Sequence, residues 1–129
     1  MPMWHSDLKK RKTSGGKRRP YRTKKSFEAG SYPTNTRIGN VSRKDKKAYG
    51  GLKKPKLLRD RFANVTDPRT GKTVKVEIQA VVENPASVDY DRRKIITRGA
   101  VIKTAIGEAV VASRPGQHGM INAILKGEK

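Results

Sequence analysis

A chain of 129 residues is long enough for one domain of ordinary size. Its 31 Lys and Arg outnumber its 11 Asp and Glu, and the resulting net charge of +20 indicates a polyanionic partner, for which nucleic acid is the best fit. Cysteine is absent, which excludes disulfides, thiolate metal sites and cysteine nucleophiles.

The N-terminal sequence does not resemble a targeting segment. Its first six residues are followed by charge rather than by the apolar stretch of about 7–15 residues that a signal peptide needs. No run approaches the roughly 20 apolar residues that span a bilayer. The basic half also lacks an apolar stripe at helical spacing, which argues against a helix lying on a membrane. We therefore expect a cytoplasmic protein with no membrane partner.

The positive charge is concentrated in the first half of the chain. Residues 1–62 hold 20 basic and 4 acidic side chains, a net charge of 20 − 4 = +16, whereas residues 63–129 hold 11 and 7, a net charge of 11 − 7 = +4. The first half carries too much like charge and too little apolar surface to collapse alone. We predict a basic RNA-binding extension at residues 1–55 and a β-barrel domain at residues 56–129.

The predicted extension is rich in residues that interrupt regular structure. Glycine and proline recur through it, which favours a mostly irregular chain of extended loops and short turns. Residues 15–20 and 50–55 both fit the pattern Gly-Gly-x-basic-basic-Pro. Because paired glycines let the backbone approach a phosphate while the following cations hold it, we interpret the two segments as two uses of one local solution.

From about residue 57 the pattern changes to short strands separated by turns. In the clearest strand, five apolar residues alternate with polar ones and predict one buried face: Val74, Val76, Ile78, Ala80 and Val82. The six predicted strands cover residues 57–65, 73–82, 95–97, 99–105, 109–113 and 120–125. With no convincing helix, this pattern predicts an all-β fold, a small closed antiparallel β-barrel of about six strands, because closure removes exposed strand edges.

The sequence lacks the groups that an active site needs. His5, Ser6 and Asp7 are adjacent in the chain, so they cannot easily converge on one reacting atom. His118 lies in a Pro/Gly loop, which favours a solvated or RNA-facing side chain over a metal ligand. The acidic residues match no metal-site spacing, and neither double glycine fits a nucleotide-binding loop. We expect no enzymatic activity, cofactor, metal or small-molecule substrate.

Binding to phosphate needs only charge, reach and flexibility, which the first half of the chain supplies. Each Lys or Arg that neutralises a phosphate releases condensed counterions, so many weak contacts add together. At least five basic runs are spread over about 50 residues, which favours extensive polyanion contact over a solvated surface or an import signal. The predicted phosphate ligands of this half are Lys9, Lys10, Arg11, Lys12, Lys17, Arg18, Arg19, Arg22, Lys24, Lys25, Arg43, Lys44, Lys46, Lys47, Lys53 and Lys54.

Five further positions are candidates for contacts other than those of the basic runs. Trp4 and Tyr21 are candidates for stacking on unpaired RNA bases. Phe27 and Tyr32 either stack in the same way or pin the extension to the barrel. Arg114, beside a Pro-Gly turn, presents a fork-shaped donor to phosphate, although ordinary turn chemistry is the alternative for its segment.

The order of residues is recognisable along nearly the whole chain. The matching segments are Trp4-His5, Lys12-Thr13-Ser14-Gly15-Gly16-Lys17, Ile38-Gly39, Gly50-Gly51, Ala63-Asn64-Val65, Val82-Glu83-Asn84-Pro85-Ala86, Ile95-Ile96-Thr97-Arg98-Gly99-Ala100, Ser113-Arg114-Pro115-Gly116-Gln117 and Asn122-Ala123. With these segments the chain resembles the archaeal members of the eukaryotic-type small ribosomal subunit protein eight family. It departs from the family pattern at Leu52, where a polar Asn usually follows the double glycine.

The resemblance implies a closed β-barrel with a long basic N-terminal extension and no enzymatic role. It also implies that the chain lies in the cytoplasm within the small ribosomal subunit, bound to small-subunit ribosomal RNA and beside neighbouring small-subunit ribosomal proteins. The alternative from composition alone is a free-standing chaperone or chromatin-like protein that coats nucleic acid without a fixed site.

Overall fold

The computed structural model describes residues 3–4 and 11–127. The chain divides between Pro33 and Thr34 into two compact units. Residues 34–55, which the sequence analysis assigned to the extension, lie in the larger unit. Within this segment, residues 37–38 and 42–47 pair with the strand that leads into the barrel, and that strand begins at residue 53. Within the described residues, every helix is too short and too polar to cross a membrane.

The described residues form short strands and two helices of one or two turns. The strands are β1 (Met3–Trp4), β2 (Ala29–Gly30), β3 (Arg37–Ile38), β4 (Ser42–Lys47), β5 (Lys53–Asp60), β6 (Phe62–Thr66), β7 (Thr73–Glu83), β8 (Val101–Thr104), β9 (Glu108–Val111) and β10 (Asn122–Leu125). The α-helices are α1 (Val88–Arg92) and α2 (Pro115–His118), and 3-10 turns cover Ser26–Glu28 and Tyr49–Gly51.

Five strands close into a barrel in the order β10-β6-β7-β8-β9. This confirms the predicted closed barrel, but the strand number of about six is wrong and the pairing of β10 with β6 is parallel. The predicted strand at residues 95–97 does not form. Ile95 and Ile96 are fully buried, but their N–H groups donate to the carbonyls of Tyr90 and Thr36 rather than to a strand ladder.

A bulge in β7 changes which side chains face the core. Val76 and Ile78 are buried as predicted, whereas Ala80 and Val82 are exposed and Val81 is buried instead. The register with β8 shifts between Ile78 and Ala80. One extra residue in a strand reverses the alternation that follows it, because side chains repeat every second residue. The single buried face predicted from alternation is therefore wrong for the second half of the strand, and also at Val74, which is 50% exposed near its start.

The core combines apolar barrel side chains with a few satisfied polar groups. The buried cluster contains Leu57, Ala63, Val65, Val76, Ile78, Val81, Ile96, Ala100, Ile102, Ala109, Val111, Ile121 and Ala123. Asn84, buried at the end of β7, donates to the carbonyl of Ile95 at 2.7 Å and accepts from the hydroxyl of Thr97 at 3.1 Å. Burial of each Leu, Ile or Val side chain in the apolar cluster contributes about 1.5–3 kcal/mol.

A three-stranded sheet, in the order β3-β5-β4, belongs to the same unit as the barrel. β3 runs parallel to β5, and β4 runs antiparallel to it. Thr36 is buried just before β3. Its hydroxyl donates to the carbonyl of Leu57 at 2.7 Å, and its own carbonyl accepts from the N–H of Ile96 at 2.8 Å. Since Leu57 and Ile96 are part of the core cluster, these bonds fasten the sheet to the barrel.

The smaller unit has little regular structure. β1 pairs antiparallel with β2, with Trp4 opposite Ala29. Arg11 and Lys17 form an isolated antiparallel bridge around a tight turn. The remaining described residues of this unit are loops, apart from the 3-10 turn at Ser26–Glu28.

Candidate nucleic-acid interface

The β4–β5 hairpin sets lysines directly opposite one another. The antiparallel register pairs Lys44 with Lys56 and Lys46 with Lys54. Opposed residues share a face of the sheet, and so do residues two apart in one strand. These four lysines therefore occupy one face of the hairpin, which we call the lysine face.

The opposite face of the hairpin is covered only at Pro55 and Leu57, because Arg43, Lys47 and Lys53, which also lie on it, are exposed. Pro55 is half-buried and Leu57 is fully buried, and both alternate with the lysines of β5. Asp45, the acidic residue within the hairpin, is opposite Pro55 and thus also lies on that other face. The alternation separates the four positive charges from this carboxylate.

The charges of the lysine face affect one another. The pKa of Lys56 is lowered, first by burial of its ammonium group and then by the positive charges of Lys46 and Lys44. Like charges directly opposite each other in a sheet are destabilising. The positive charges of Lys44 and Lys46 thus disfavour the charged form of Lys56.

Two glycines make the hairpin turn. The N–H of Ala48 donates to the carbonyl of Leu52 at 2.7 Å, closing a turn in which Gly50 and Gly51 have φ of 66° and 75°. Glycine adopts these left-handed conformations without the steric cost of a side chain. Tyr49 is 99% exposed at the tip, which makes it available to a partner that reaches the end of the hairpin.

The first double glycine forms a turn with the same closure. The N–H of Lys12 donates to the carbonyl of Gly16 at 3.0 Å, and Gly15 has φ of 82°. The guanidinium of Arg11 also donates to the carbonyl of Gly15 at 3.0 Å. The two turns thus share the same closing hydrogen bond, but Gly15 corresponds to Gly51, and the first turn has no counterpart of the left-handed Gly50. The expectation of a single backbone solution for both segments is therefore wrong.

Arg22 is held by neighbouring side chains of the smaller unit. Its guanidinium donates to the hydroxyl of Tyr21 at 2.8 Å, pairs with Glu28 and lies 5.8 Å from the centre of the Phe27 ring. The hydrogen bond to Tyr21, followed by that to Glu28, raises the pKa of Arg22. Arg22 thus organises a cluster in which the Tyr21 and Phe27 rings stay 85% and 80% exposed.

Two other predicted phosphate ligands have structural contacts. Arg43 lies 3.7 Å from Asp60, whose carboxylate accepts the N–H of Phe62 at 3.0 Å and so braces the bend between β5 and β6. Arg114 is exposed at the start of α2, and its N–H donates to Nδ1 of His118 at 3.3 Å. The turn chemistry considered for the Arg114 segment is therefore present.

The remaining predicted ligands are distributed over both units. Lys12, Lys17, Arg18, Arg19, Lys24 and Lys25 are exposed in the smaller unit, and Lys44, Lys46, Lys47, Lys53 and Lys54 are exposed in the hairpin. Trp4 is half-buried, with the ammonium of Lys24 5.3 Å from its ring centre, and Tyr32 is 67% exposed. Lys9 and Lys10 lie outside the described residues, as do His5, Ser6 and Asp7.

Sequence reasoning missed part of the interface. Lys56 completes the lysine face. It lies two residues after Lys54, so interpreting this segment as a strand would have placed both lysines on the same face. Arg37 and Arg59, opposite each other in β3 and β5, were also missed, because their proximity depends on a long-range parallel pairing. Among the described residues, no three His, Asp or Glu side chains are arranged to hold a metal ion.

Comparison with known proteins identifies the family. Residues 5–126 match the family model described as Ribosomal protein S8e. The chain belongs to this family. It is similar to the small ribosomal subunit protein eS8 of Methanospirillum hungatei, with 48% identity over 115 residues that cover 89% of this chain and 92% of the relative.

Other S8e relatives match to the same extent. The small ribosomal subunit protein eS8 of Methanococcoides burtonii is 47% identical over 116 residues, covering 90% of this chain and 93% of the relative. That of Picrophilus torridus is 48% identical over 115 residues, covering 89% and 92%. Membership of the S8e family confirms the resemblance seen in the sequence. It also confirms that the chain is a ribosomal structural protein of the translation machinery rather than an enzyme.

Proposed function

We propose that the chain is a structural constituent of the small ribosomal subunit in the cytoplasm, where it binds small-subunit ribosomal RNA by neutralising phosphates. Neighbouring small-subunit ribosomal proteins are its other partners. The lysine face is the observation that carries this proposal, because it concentrates Lys44, Lys46, Lys54 and Lys56 on one side of a fastened hairpin. The relatives are named as proteins of the small ribosomal subunit, and we infer that the RNA of that subunit is the RNA bound here.

A bound polyanion reduces the repulsion between the lysines of the lysine face and adds attraction between each lysine and a phosphate. In the free protein, Lys44 opposes Lys56 and Lys46 opposes Lys54, which costs stability. Phosphates placed along the face screen these repulsions, and each neutralised phosphate releases counterions. Both effects favour binding of RNA to the lysine face.

The exposed cations of the smaller unit extend this binding. We assign phosphate contacts to its predicted ligands, with Lys9 and Lys10 included from outside the described residues, and base stacking to Trp4 and Tyr21. The exposed fraction of 85% for Tyr21 supports a role in stacking on an unpaired base. In this proposal, residues 1–55 reach between RNA helices while residues 56–129 supply the barrel domain.

Sedimentation tests the proposal. Tagged chain in an archaeal lysate is expected to migrate with small subunits through a gradient at moderate salt. A variant with all four lysines of the lysine face changed to Gln is expected to shift toward the top fractions. The matched control changes Lys72, Arg98, Lys103 and Lys126, four exposed cations elsewhere, to Gln and is expected to stay with the subunit.

Two results would contradict the proposal. If the control variant is lost from the subunit as readily as the lysine-face variant, general charge rather than this face is responsible. If the unmodified chain itself stays at the top of the gradient and binds any duplex equally well, the chain is a free-standing nucleic-acid chaperone.

A further inference from the structure

A pocket lies on the three-stranded sheet, at one end of the hairpin. Its volume is about 520 Å³, and it is lined by Thr34, Asn35, Arg37, Asn40, Val41, Ser42, Leu58 and Arg59. All eight residues belong to the larger unit. The volume falls in the range of roughly 300–1,000 Å³ typical of sites for small molecules or single chemical groups.

The pocket continues the lysine face. Ser42 lies two residues before Lys44 in β4, so the two share a face, and Arg59 is opposite Ser42. Leu58 is the extra residue at the bulge between these strands, which brings an apolar side chain into the lining. A polyanion that follows the lysines would therefore arrive at this pocket.

Two arginines stand side by side at the pocket. Arg37 of β3 is opposite Arg59 of β5, on the side of β5 away from Ser42. Neither guanidinium forms an ion pair with a carboxylate of the described residues, and the pocket lining contains no acidic side chain. The aliphatic part of Arg59 lies against Gly39, where a Cβ would come within 3.3 Å of Cδ. The absence of a side chain at Gly39 thus leaves room for Arg59.

The rest of the lining suits a nucleobase. Leu58 and Val41 are 36% and 57% exposed, which leaves apolar surface for the face of a ring. Asn35 and Asn40 carry amides that both donate and accept hydrogen bonds, as the edge of a base requires. Arginine guanidinium planes also stack on unpaired bases. An acidic peptide would use the two arginines but not this combination of amides and flat apolar surface.

We propose that the pocket binds a single unpaired ribonucleotide of the RNA that lies on the lysine face. Arg37 and Arg59 hold its phosphate, while its base lies against Leu58 and Val41 with its edge toward the asparagine amides. The inference rests on the proposed function. It adds that the chain prefers RNA with an unpaired nucleotide, whereas phosphate contacts alone do not depend on the RNA sequence.

The test compares two RNA probes bound by the full chain. One is a short duplex with a single bulged 2-aminopurine nucleotide, and the other is the same duplex without the bulge. The bulged duplex is expected to bind about tenfold more tightly, as expected for stacking of one base, and its 2-aminopurine emission is expected to rise as the base leaves the stack.

Variants assign the preference to the pocket. Changing Arg37 and Arg59 together to Met is expected to reduce the affinity ratio of the two probes to about one. Changing Arg98 and Lys103 to Met removes the same charge elsewhere and is expected to keep the ratio. A second pocket variant, Val41→Glu, changes an exposed loop residue and leaves both arginines in place. Its carboxylate is expected to repel the phosphate and to reduce the ratio to about one. This variant keeps the test valid if the double arginine variant misfolds.

The outcomes separate this inference from the proposed function. Equal affinity of the unmodified chain for both probes, or a ratio that survives both pocket changes, overturns the nucleotide pocket while RNA binding stands. Equal affinity is also the result expected if a neighbouring protein covers the pocket. Failure to bind either probe at low salt overturns the proposed function and the pocket together.

Discussion

Gly119 lies directly against Pro55. A Cβ built on Gly119 would come within 2.8 Å of the Pro55 Cβ and 3.0 Å of its Cγ, and Gly119 has φ of 70°. Pro55 sits between Lys54 and Lys56, on the other side of β5 from the lysine face. The loop after α2 therefore supports the strand that carries two of the four lysines.

Gly119→Ala is expected to destabilise the protein by about 2–4 kcal/mol, because about 1 kcal/mol for the left-handed backbone adds to about 1–3 kcal/mol for a methyl group that meets Pro55 in a packed contact. Gly71→Ala is the matched control, since Gly71 has φ of 67° but nothing within 4 Å of its would-be Cβ. It is expected to cost only about 1 kcal/mol, from the left-handed backbone. Urea unfolding of the full chain measures both changes, and equal losses would show that the contact with Pro55 contributes nothing.

Lys56→Met is expected to raise the free energy of unfolding of the RNA-free chain at neutral pH. The pKa of Lys56 is lowered in the folded protein, so folding disfavours its charged form. The unfolded chain then binds more protons near the folded pKa, and wild-type stability rises as pH increases through that pKa. The advantage of the variant should therefore shrink as pH is raised toward the ordinary pKa of lysine.

Urea unfolding at a series of pH values checks the Lys56 prediction. Lys72→Met, a change at an exposed residue, is the control and is expected to leave stability nearly unchanged. If the gain in unfolding free energy from Lys56→Met grew with pH, it would contradict the claim that folding lowers the pKa of Lys56. The same variant is expected to bind RNA more weakly, since it removes one phosphate ligand.

Arg22→Met is expected to raise the pKa of Glu28. Burial works to raise the pKa of Glu28, but the Lys25 N–H and Arg22 outweigh it and hold the pKa below its ordinary value. Removing Arg22 takes away the interactions of its guanidinium that lower the pKa, whereas burial, the largest cause, remains, so the pKa should rise. A carboxyl-carbon NMR titration of Glu28 in both proteins measures the change. An unchanged midpoint would place Arg22 away from Glu28 in solution.

Hydrophobic alternation predicted the barrel because its strands place their own apolar side chains in the core, which leaves a periodic pattern in the sequence. Val76 and Ile78 were identified in this way, whereas the bulge that moves burial from Ala80 to Val81 leaves no local mark. Ile95 and Ile96 have the β-branched shape typical of strands. Both side chains are buried, but their N–H groups donate to the carbonyls of Tyr90 and Thr36 rather than to a neighbouring strand, which the local sequence pattern does not reveal.

The candidate site was harder to predict because its strands carry charge rather than a buried face. All six residues of β4 are exposed, and its Lys and Asp residues have low strand propensity, so residues 42–47 resembled a loop. β5 supplies the pairing and the buried Leu57. The sequence thus indicated that the first half binds a polyanion, while the register decides which lysines share a face.

The most direct test of the account is the salt dependence of RNA affinity. The logarithm of affinity falls linearly with the logarithm of salt concentration, with a slope of about −0.9 per neutralised phosphate on a duplex. Changing Lys44, Lys46, Lys54 and Lys56 to Gln is expected to make the slope shallower by about one per lysine. The control variant at Lys72, Arg98, Lys103 and Lys126 should keep the wild-type slope. An unchanged slope in the lysine-face variant would contradict the claim that this face binds RNA phosphates.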